Sequence, residues 1–544
     1  MIVTLIKKNT LLICVFFNIL LFCTLYFKFL VSLFPLSLFL AILPGFLFIF
    51  RKKQLNKSNL FMLLLPLLIT RYILPIRFGL PSGYDDIQWH IIWAENSIVN
   101  GKIIFSELDI ASNNFIGLYL YYNIVKLFTN IDIPFLAILI HPFINIISFI
   151  IFYFFASMFL KTKSVLLALI LFAWEPVIFD FGEFRTQSFA LVYFLMLFYF
   201  ILKNKKSENL TNIIIILLLL INIVITSYVT FFISFICLLT IFLSDLFFKI
   251  VQRDKRNELL YIDREYLIIF SFLFIIYITY IGNSFNNLIP SIIILIKMTF
   301  LLAYSKINVI STIFVSSGII EFYIQWIMKF IIFMFTILVF FYQIIFKKPI
   351  ILTLISLTMG FCTFLGLIGA FELSSNRFYY FFIIFSSITT IQGYNLIIKY
   401  MPKNYKNKIK FLFFIIIFTF SLYSIIRLPN YIIGNTYPFR TSSTIDEMKF
   451  YDVSSKDVSI GKYLYKYGNF KYIYFYNVIM IYCYHPPYTN INPIDDYNIA
   501  NIIYLHDSYN GNRDYYGRDQ FPTVKDLSDL NLVFQNRDML LFYK

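Results

Sequence analysis

A chain of 544 residues that is 60% hydrophobic and only 14% charged, with a mean hydropathy of +0.78, is too apolar for a water-soluble globular protein. The formal net charge of +16 would mark a nucleic-acid binder in a soluble chain, but membrane topology accounts for it better, and no nucleic-acid partner is expected. Five scattered cysteines, Cys14, Cys23, Cys237, Cys362 and Cys483, show neither a CxxC spacing nor a nearby histidine partner, which argues against a disulfide framework or a zinc site.

Apolar runs of about 17 to 25 residues, the length that crosses about 30 Å of hydrocarbon, recur from the N-terminus to residue 427. The first, Thr10 to Phe27, follows Lys7 and Lys8 as a signal peptide would, but no small-residue cleavage site follows and a second run begins at once. It reads as a retained helix. Basic clusters at Lys7-Lys8, Arg51 to Lys57, Lys161-Lys163, Lys203 to Lys206, Lys249 to Arg256, Lys347-Lys348 and Lys399 to Lys410 fall in alternate loops. Placing all of them in the cytoplasm satisfies the positive-inside bias. The spans then lie near 10–27, 30–50, 60–78, 133–160, 164–179, 186–202, 211–226, 229–249, 266–281, 323–346, 349–371, 378–399 and 411–427.

About thirteen spans put the N-terminus in the cytoplasm and the C-terminus outside, as in a multi-pass protein of the cell membrane. The stretch Phe115 to Phe128 is too short and tyrosine-rich for a span and reads as an interfacial helix on the outer leaflet. Residues 283–320 form a long outer connection of the size that covers a site. Beyond Arg427 the chain turns polar, with strand-length apolar runs at Tyr472 to Tyr476, Val478 to Tyr484, Ile499 to Leu505 and Leu530 to Phe534. Asn531 to Phe534 and Met539 to Tyr543 flank a four-residue loop suited to a hairpin. The expected fold is an all-α polytopic membrane protein with a small C-terminal extracytoplasmic α/β domain. Its divisions are a helical pair over 1–58, a transmembrane domain over 59–427 and the outer domain over 428–544.

This topology exposes three acidic or mixed segments outside: Tyr84 to Asp109, Asp180 to Arg185 and Glu372 to Arg377. In the first, a helix beginning near Asp86 would stack Asp86, His90 and Ala94 on one face, with Asp85 and Asp86 meeting the unsatisfied amides of its first turn. A plain alternative is an acidic cap on an interfacial helix anchored by Trp89 and Trp93. In the second, Arg185 can simply pair with Asp180 or Glu183 to mark a helix end. In the third, Arg377 can be an ordinary interfacial anchor. Asp245 lies within reach of Lys249 and water, and His141, His485 and His506 are too isolated for a metal triad, so these read as structural. Thr226-Ser227-Tyr228 reads as a polar helix cap.

The pattern Asp86-x-x-x-His90-x-x-x-Ala94 followed by Asn100-Gly101 resembles the first outer loop of the GT-C superfamily of membrane glycosyltransferases, above all its archaeal and oligosaccharyltransferase-like members. The resemblance covers roughly Asn59 to Met401. It implies that Asp86, with Asp85 next, is the catalytic base or orients the acceptor, with His90 beside it. It implies contacts from Glu183 and Arg185 to acceptor, metal or donor phosphate and from Arg377 to the lipid phosphate, with Glu372 a further substrate-binding residue. The implied partners are a polyprenyl-phosphate sugar donor, a glycan, lipid or protein acceptor, and the bilayer. No fixed cofactor is implied, though a divalent cation such as Mg or Mn is compatible.

Two departures matter. A histidine of the Ser-His-Tyr type is missing at Thr226-Ser227-Tyr228, and no Trp-Trp-Asp occurs, the four tryptophans being Trp89, Trp93, Trp174 and Trp326. The second argues against en bloc transfer of a glycan to asparagine and for a monosaccharide transferase, for which the resemblance implies inversion at the anomeric centre. The competing readings are a transporter or flippase of lipid-linked sugars, which would place charges near the bilayer midplane, and a noncatalytic scaffold.

Overall fold

The computed structural model describes residues 10–26, 116–173, 175, 186–203, 210–251, 264–276, 319–346, 350–367, 375–413 and 415–417, five strands, and scattered residues within 33–43, 65–69 and 94–98. Its helices are α1 (Thr10–Tyr26), α2 (Gly117–Thr129), α3 (Ile133–Ser157), α4 (Thr162–Ala173), α5 (Thr186–Lys203), α6 (Leu210–Thr226), α7 (Tyr228–Val251), α8 (Arg264–Ile276), α9 (Ile319–Ile345), α10 (Ile351–Leu367) and α11 (Ser375–Tyr400).

Three of these contain segments long and apolar enough to cross a membrane: Phe135–Ser157, Thr186–Lys203 and Phe378–Tyr400. Shorter apolar helices over Cys14–Thr24, Thr162–Ala173, Thr211–Thr226, Val229–Ser244, Lys329–Ile345 and Ile351–Phe364 lie within six further expected spans. The count of thirteen depends on stretches outside the described residues. Two boundaries move. Helix α4 stops at Ala173, short of the expected 179, because Glu175 and Pro176 follow it, and proline disfavours helix in the residue before it. Residues 403–413 are helical, so the last basic cluster rides on a helix rather than a loop. Lysine is a good helix former, and side chains here are largely exposed.

The helices bear the mark of an apolar solvent. On α9, Phe330, Met334, Leu338, Phe341 and Ile345 recur every three or four residues and are all exposed, and Phe135, Leu139, Phe143, Ile150 and Phe154, spaced by four or seven, form a similar exposed stripe on α3. Stripes of this size would be a liability in water and are the natural outer face of a helix in lipid. The interior is largely aromatic. Phe152 stacks on Phe172 between α3 and α4 with centroids 4.4 Å apart, and Phe155 meets Phe385 of α11. Phe194 of α5 lies 4.8 Å from Phe381, and Phe198 lies 5.6 Å from Phe385. These last two contacts have the same sequence offset, so α5 and α11 run parallel.

Helices α9, α10 and α11 form the tightest group. A Cβ added to Gly360 of α10 would come within 2.7 Å of Phe333 on α9 and 3.1 Å of Phe382 on α11, so only glycine lets these helices approach this closely. Buried hydroxyls link the group, Thr336 to Thr389 at 2.8 Å, as polar side chains do between helices in lipid. Near the N-terminus, the Thr24 and Ser37 hydroxyls bond at 2.7 Å and join the first two expected spans.

In the C-terminal segment, strands β1 (Tyr472–Phe475), β2 (Asn492–Pro493), β3 (Ile502–His506), β4 (Asn531–Asn536) and β5 (Met539–Tyr543) form one sheet in the order β2-β1-β3-β5-β4. Strand β1 is parallel to β2 and β3, and β5 pairs antiparallel with β3 and β4. The expected four-residue hairpin loop shrinks to Arg537-Asp538, because Gln535 and Asn536 pair with Leu540 and Met539. Ladder bonds use the backbone, so polar residues continue the strand, and an irregularity between Leu532 and Phe534 absorbs the register shift. The expected run Val478 to Tyr484 and the helical part of an α/β domain lie outside the described residues.

Candidate functional site

The described lysines of three basic clusters gather at one end of the bundle. Asn395, near the end of α11, donates to Ser164 at the start of α4, and Lys163 faces Lys410. Lys203 and Lys399 close the parallel helices α5 and α11. The opposite end holds the starts of α3, α5 and α11 and the turn between α6 and α7.

At that opposite end a second hydrophobic cluster joins segments far apart in sequence. Ala94, fully buried, packs with Leu118, Tyr119 and Tyr122 of α2, with Ile133 of α3 and with Phe189 of α5. The Asn123 amide of α2 bonds to the Ser97 hydroxyl. With its oxygen turned to that hydroxyl, its nitrogen donates to the backbone oxygens of Ala94 at 3.0 Å and Tyr119 at 3.3 Å. Helix α2 is itself pinned where Gly117 touches Thr226 at the end of α6 and where Tyr121 packs 5.1 Å from Phe189. It ends on Asn130, whose φ of 55° is the left-handed cap that halts a helix.

Two members of this cluster lie in or just beyond two of the three acidic segments in sequence. Ala94 lies four residues beyond His90, and Phe189 lies four beyond Arg185. The third segment arrives at the same end through α11. Extending the offset of the Phe194–Phe381 and Phe198–Phe385 contacts puts Arg377, the third residue of α11, level with Ala190 of α5. Two residues on, the Tyr379 ring lies under the Lys329 ammonium at 4.3 Å, a cation–π contact that brings a second cation to this level. Of the remaining expected site residues, Asp85, Asp86, His90, Glu183, Arg185 and Glu372 lie outside the described residues, as does the side chain of Arg377.

Buried polar atoms accumulate here. Gln187 and Ser188 open α5 with Nε2 and Oγ buried and without hydrogen-bond partners, and the Thr226 hydroxyl is in the same state. Buried polar atoms are normally paired, so such a set at one end of a bundle is a place for ligand or water. Ser227 caps α7, its hydroxyl accepting from the Thr230 amide at 3.3 Å and the Thr230 hydroxyl at 3.1 Å, which is the cap role expected for that turn. Glu175, just past α4, is only 4% exposed. Reading the apolar run through to 179 hid it, although a carboxylate inside such a run was itself a signal.

For a divalent cation the test is the donor set. Among the described residues no group of three His, Cys, Asp or Glu side chains comes together.

No protein-family model matches the sequence, and no curated protein matches it. In fold the chain is similar to solved structures of the Archaeoglobus fulgidus oligosaccharyltransferase. The apo form matches with a TM-score of 0.41 at 14% identity, over 79% of this chain and 61% of that one. AglB from the same organism, in complex with an inhibitory peptide and a dolichol-phosphate, matches with a TM-score of 0.40 at 13% identity, over 79% and 61%. A complex with Zn and sulfate matches with a TM-score of 0.38 at 12% identity, over 79% and 58%. The chain thus spans about three fifths of the length of the structures it matches.

Proposed function

We propose that the chain is a membrane glycosyltransferase that moves a sugar from a polyprenyl-phosphate donor to a glycan, lipid or protein acceptor on the extracytoplasmic side of the cell membrane. The observation that carries this is the convergence at one end of the bundle. Ala94 and Phe189, each four residues beyond an expected site residue, share one buried cluster, and Arg377 stands level with them on α11. The lysine-rich opposite end then faces the cytoplasm, as the positive-inside bias requires. The three segments lie at the membrane surface, where a donor with a lipid tail and a water-borne acceptor can both reach them.

The chemistry follows from the residue types. Asp86 takes the proton of the acceptor hydroxyl as that oxygen bonds to the anomeric carbon, while the bond from that carbon to the phosphate oxygen breaks and polyprenyl phosphate leaves. Arg377 meets the departing phosphate, since a guanidinium grips its oxygens bidentately and stays charged beside lipid. Asp85 caps the same turn, His90, Glu183 and Glu372 face the acceptor, and Arg185 flanks the phosphate. Attack from the face opposite the phosphate inverts the anomeric centre.

The test is transfer of radiolabelled sugar from a panel of polyprenyl-phosphate sugars in membranes carrying the native protein or Asp86→Asn. A carboxylate base contributes about 100- to 10,000-fold, so the variant should lose transfer by that factor. Equal incorporation by both proteins removes Asp86 as the base.

A further inference from the structure

At the lysine-rich end, the end of α3, the first turn of α4 and the last turns of α9 and α11 enclose a cavity of about 480 Å³. Its polar lining comes from Lys161, Ser164, Gln343, Gln392 and Asn395, and the rest of the wall is mostly apolar. Gln343 is 9% exposed, and its Oε1 accepts from the Thr353 hydroxyl at 2.6 Å, so the group it has to offer a ligand is the amide NH2. Asn395 donates to the Ser164 oxygen at 3.1 Å, which leaves the serine proton and the Asn395 carbonyl oxygen available. Gln392 Oε1 is buried with no hydrogen-bond partner. Lys161 stands at the rim with no carboxylate in salt-bridge range among the described residues.

This lining is selective. An ammonium, a hydroxyl and an amide NH2 are three donors suited to an anion, and the lysine disfavours a cation. The Asn395 carbonyl oxygen takes a donor in return, which a bare anion lacks and a ligand with hydroxyls supplies. Lys163, beside the rim, already has its ammonium pushed below the ordinary lysine range by burial and by Lys410, so an anion nearby would relieve a standing repulsion.

We infer that the cavity binds a phosphate ester bearing hydroxyls, with the phosphate on Lys161, Ser164 and Gln343 and a hydroxyl on Asn395. The volume accommodates a headgroup, and a basic pocket between membrane helices at a leaflet surface suits a phospholipid. The same chemistry fits a soluble polyol phosphate. The site lies at the opposite end from the transferase site and does not depend on that reading.

The experiment uses the full chain in phosphatidylcholine nanodiscs. One arm adds phosphatidylglycerol to the discs and counts retained molecules by native mass spectrometry, and the other titrates sn-glycerol 3-phosphate by calorimetry. Binding in either arm supports the site and identifies its source. Lys161→Gln should weaken binding by about tenfold or more, as loss of a charge-assisted hydrogen bond does. Ser164→Ala, which changes little volume, should weaken it measurably, while Lys403→Gln, an exposed lysine at the same end, should have a several-fold smaller effect than Lys161→Gln. No binding in either arm, or equal losses from Lys161→Gln and Lys403→Gln, overturns the inference.

Discussion

At the lysine-rich end, polar side chains of neighbouring helices meet directly, Asn395 with Ser164 and Gln343 with Thr353. At the opposite end the described anchors nearest in sequence to the expected site residues are few: Ala94 and Ser97 against α2, and Phe189 and Phe378 early in α5 and α11. One end is fixed by contacts between regular elements, and at the other, on the proposed reading, a rigid frame holds the reactive segments, a common arrangement in enzymes. The contrast predicts that perturbing an anchor costs activity before stability, whereas perturbing the helical frame costs stability first.

The largest effect should come from the anchor itself. Ala94→Leu forces a larger side chain among Leu118, Tyr122 and Phe189 and shifts the segment that carries Asp86. Misplacement by about 1 Å can cost about 100-fold in rate, so transfer should fall by about that factor while circular dichroism shows unchanged helix content. Full activity would break the link between anchor and site. Next is the frame. Gly360→Ala drives a methyl into Phe333 and Phe382, and overpacking of this kind costs about 1 to 3 kcal/mol. Thermal unfolding in detergent should register it, with activity per folded molecule little changed.

The smallest effect sharpens the charge side of the comparison. Burial, and then Lys410, lower the pKa of Lys163, so the folded chain holds that proton less firmly than the unfolded chain. The resulting penalty is in full force below the depressed folded-state value and fades as pH rises through it toward the ordinary lysine range. Lys410→Gln should therefore raise the melting temperature slightly near neutral pH, on the order of 1 °C given the exposure of Lys410. The gain should shrink at high pH. A loss at neutral pH would mean that Lys410 serves another contact.

The frame was legible because lipid imposes a simple rule: backbone groups must be satisfied within a helix, so a long apolar run reads as a helix whatever its neighbours do. Expected spans such as 133–160, 186–202 and 378–399 therefore fall on α3, α5 and α11. The basic clusters were legible for a related reason, since charge stays out of hydrocarbon and marks helix ends. Glu175 escaped because an apolar run was followed past the residue that ends its helix. The cavity at the lysine-rich end had no sequence signature, because Lys161, Gln343 and Gln392 come from three separate helical regions and no spacing rule joins them.

Composition and hydropathy alone determined that this is a helical membrane protein, because burial of apolar surface and exclusion of charge act on each segment independently. Which segments meet was decided only by tertiary packing. Ala94 joins Phe189, Arg377 comes level with Ala190, and Ser164 meets Asn395 because aromatic and small side chains fix the register between helices, and that complementarity belongs to pairs of surfaces rather than to any single run of residues.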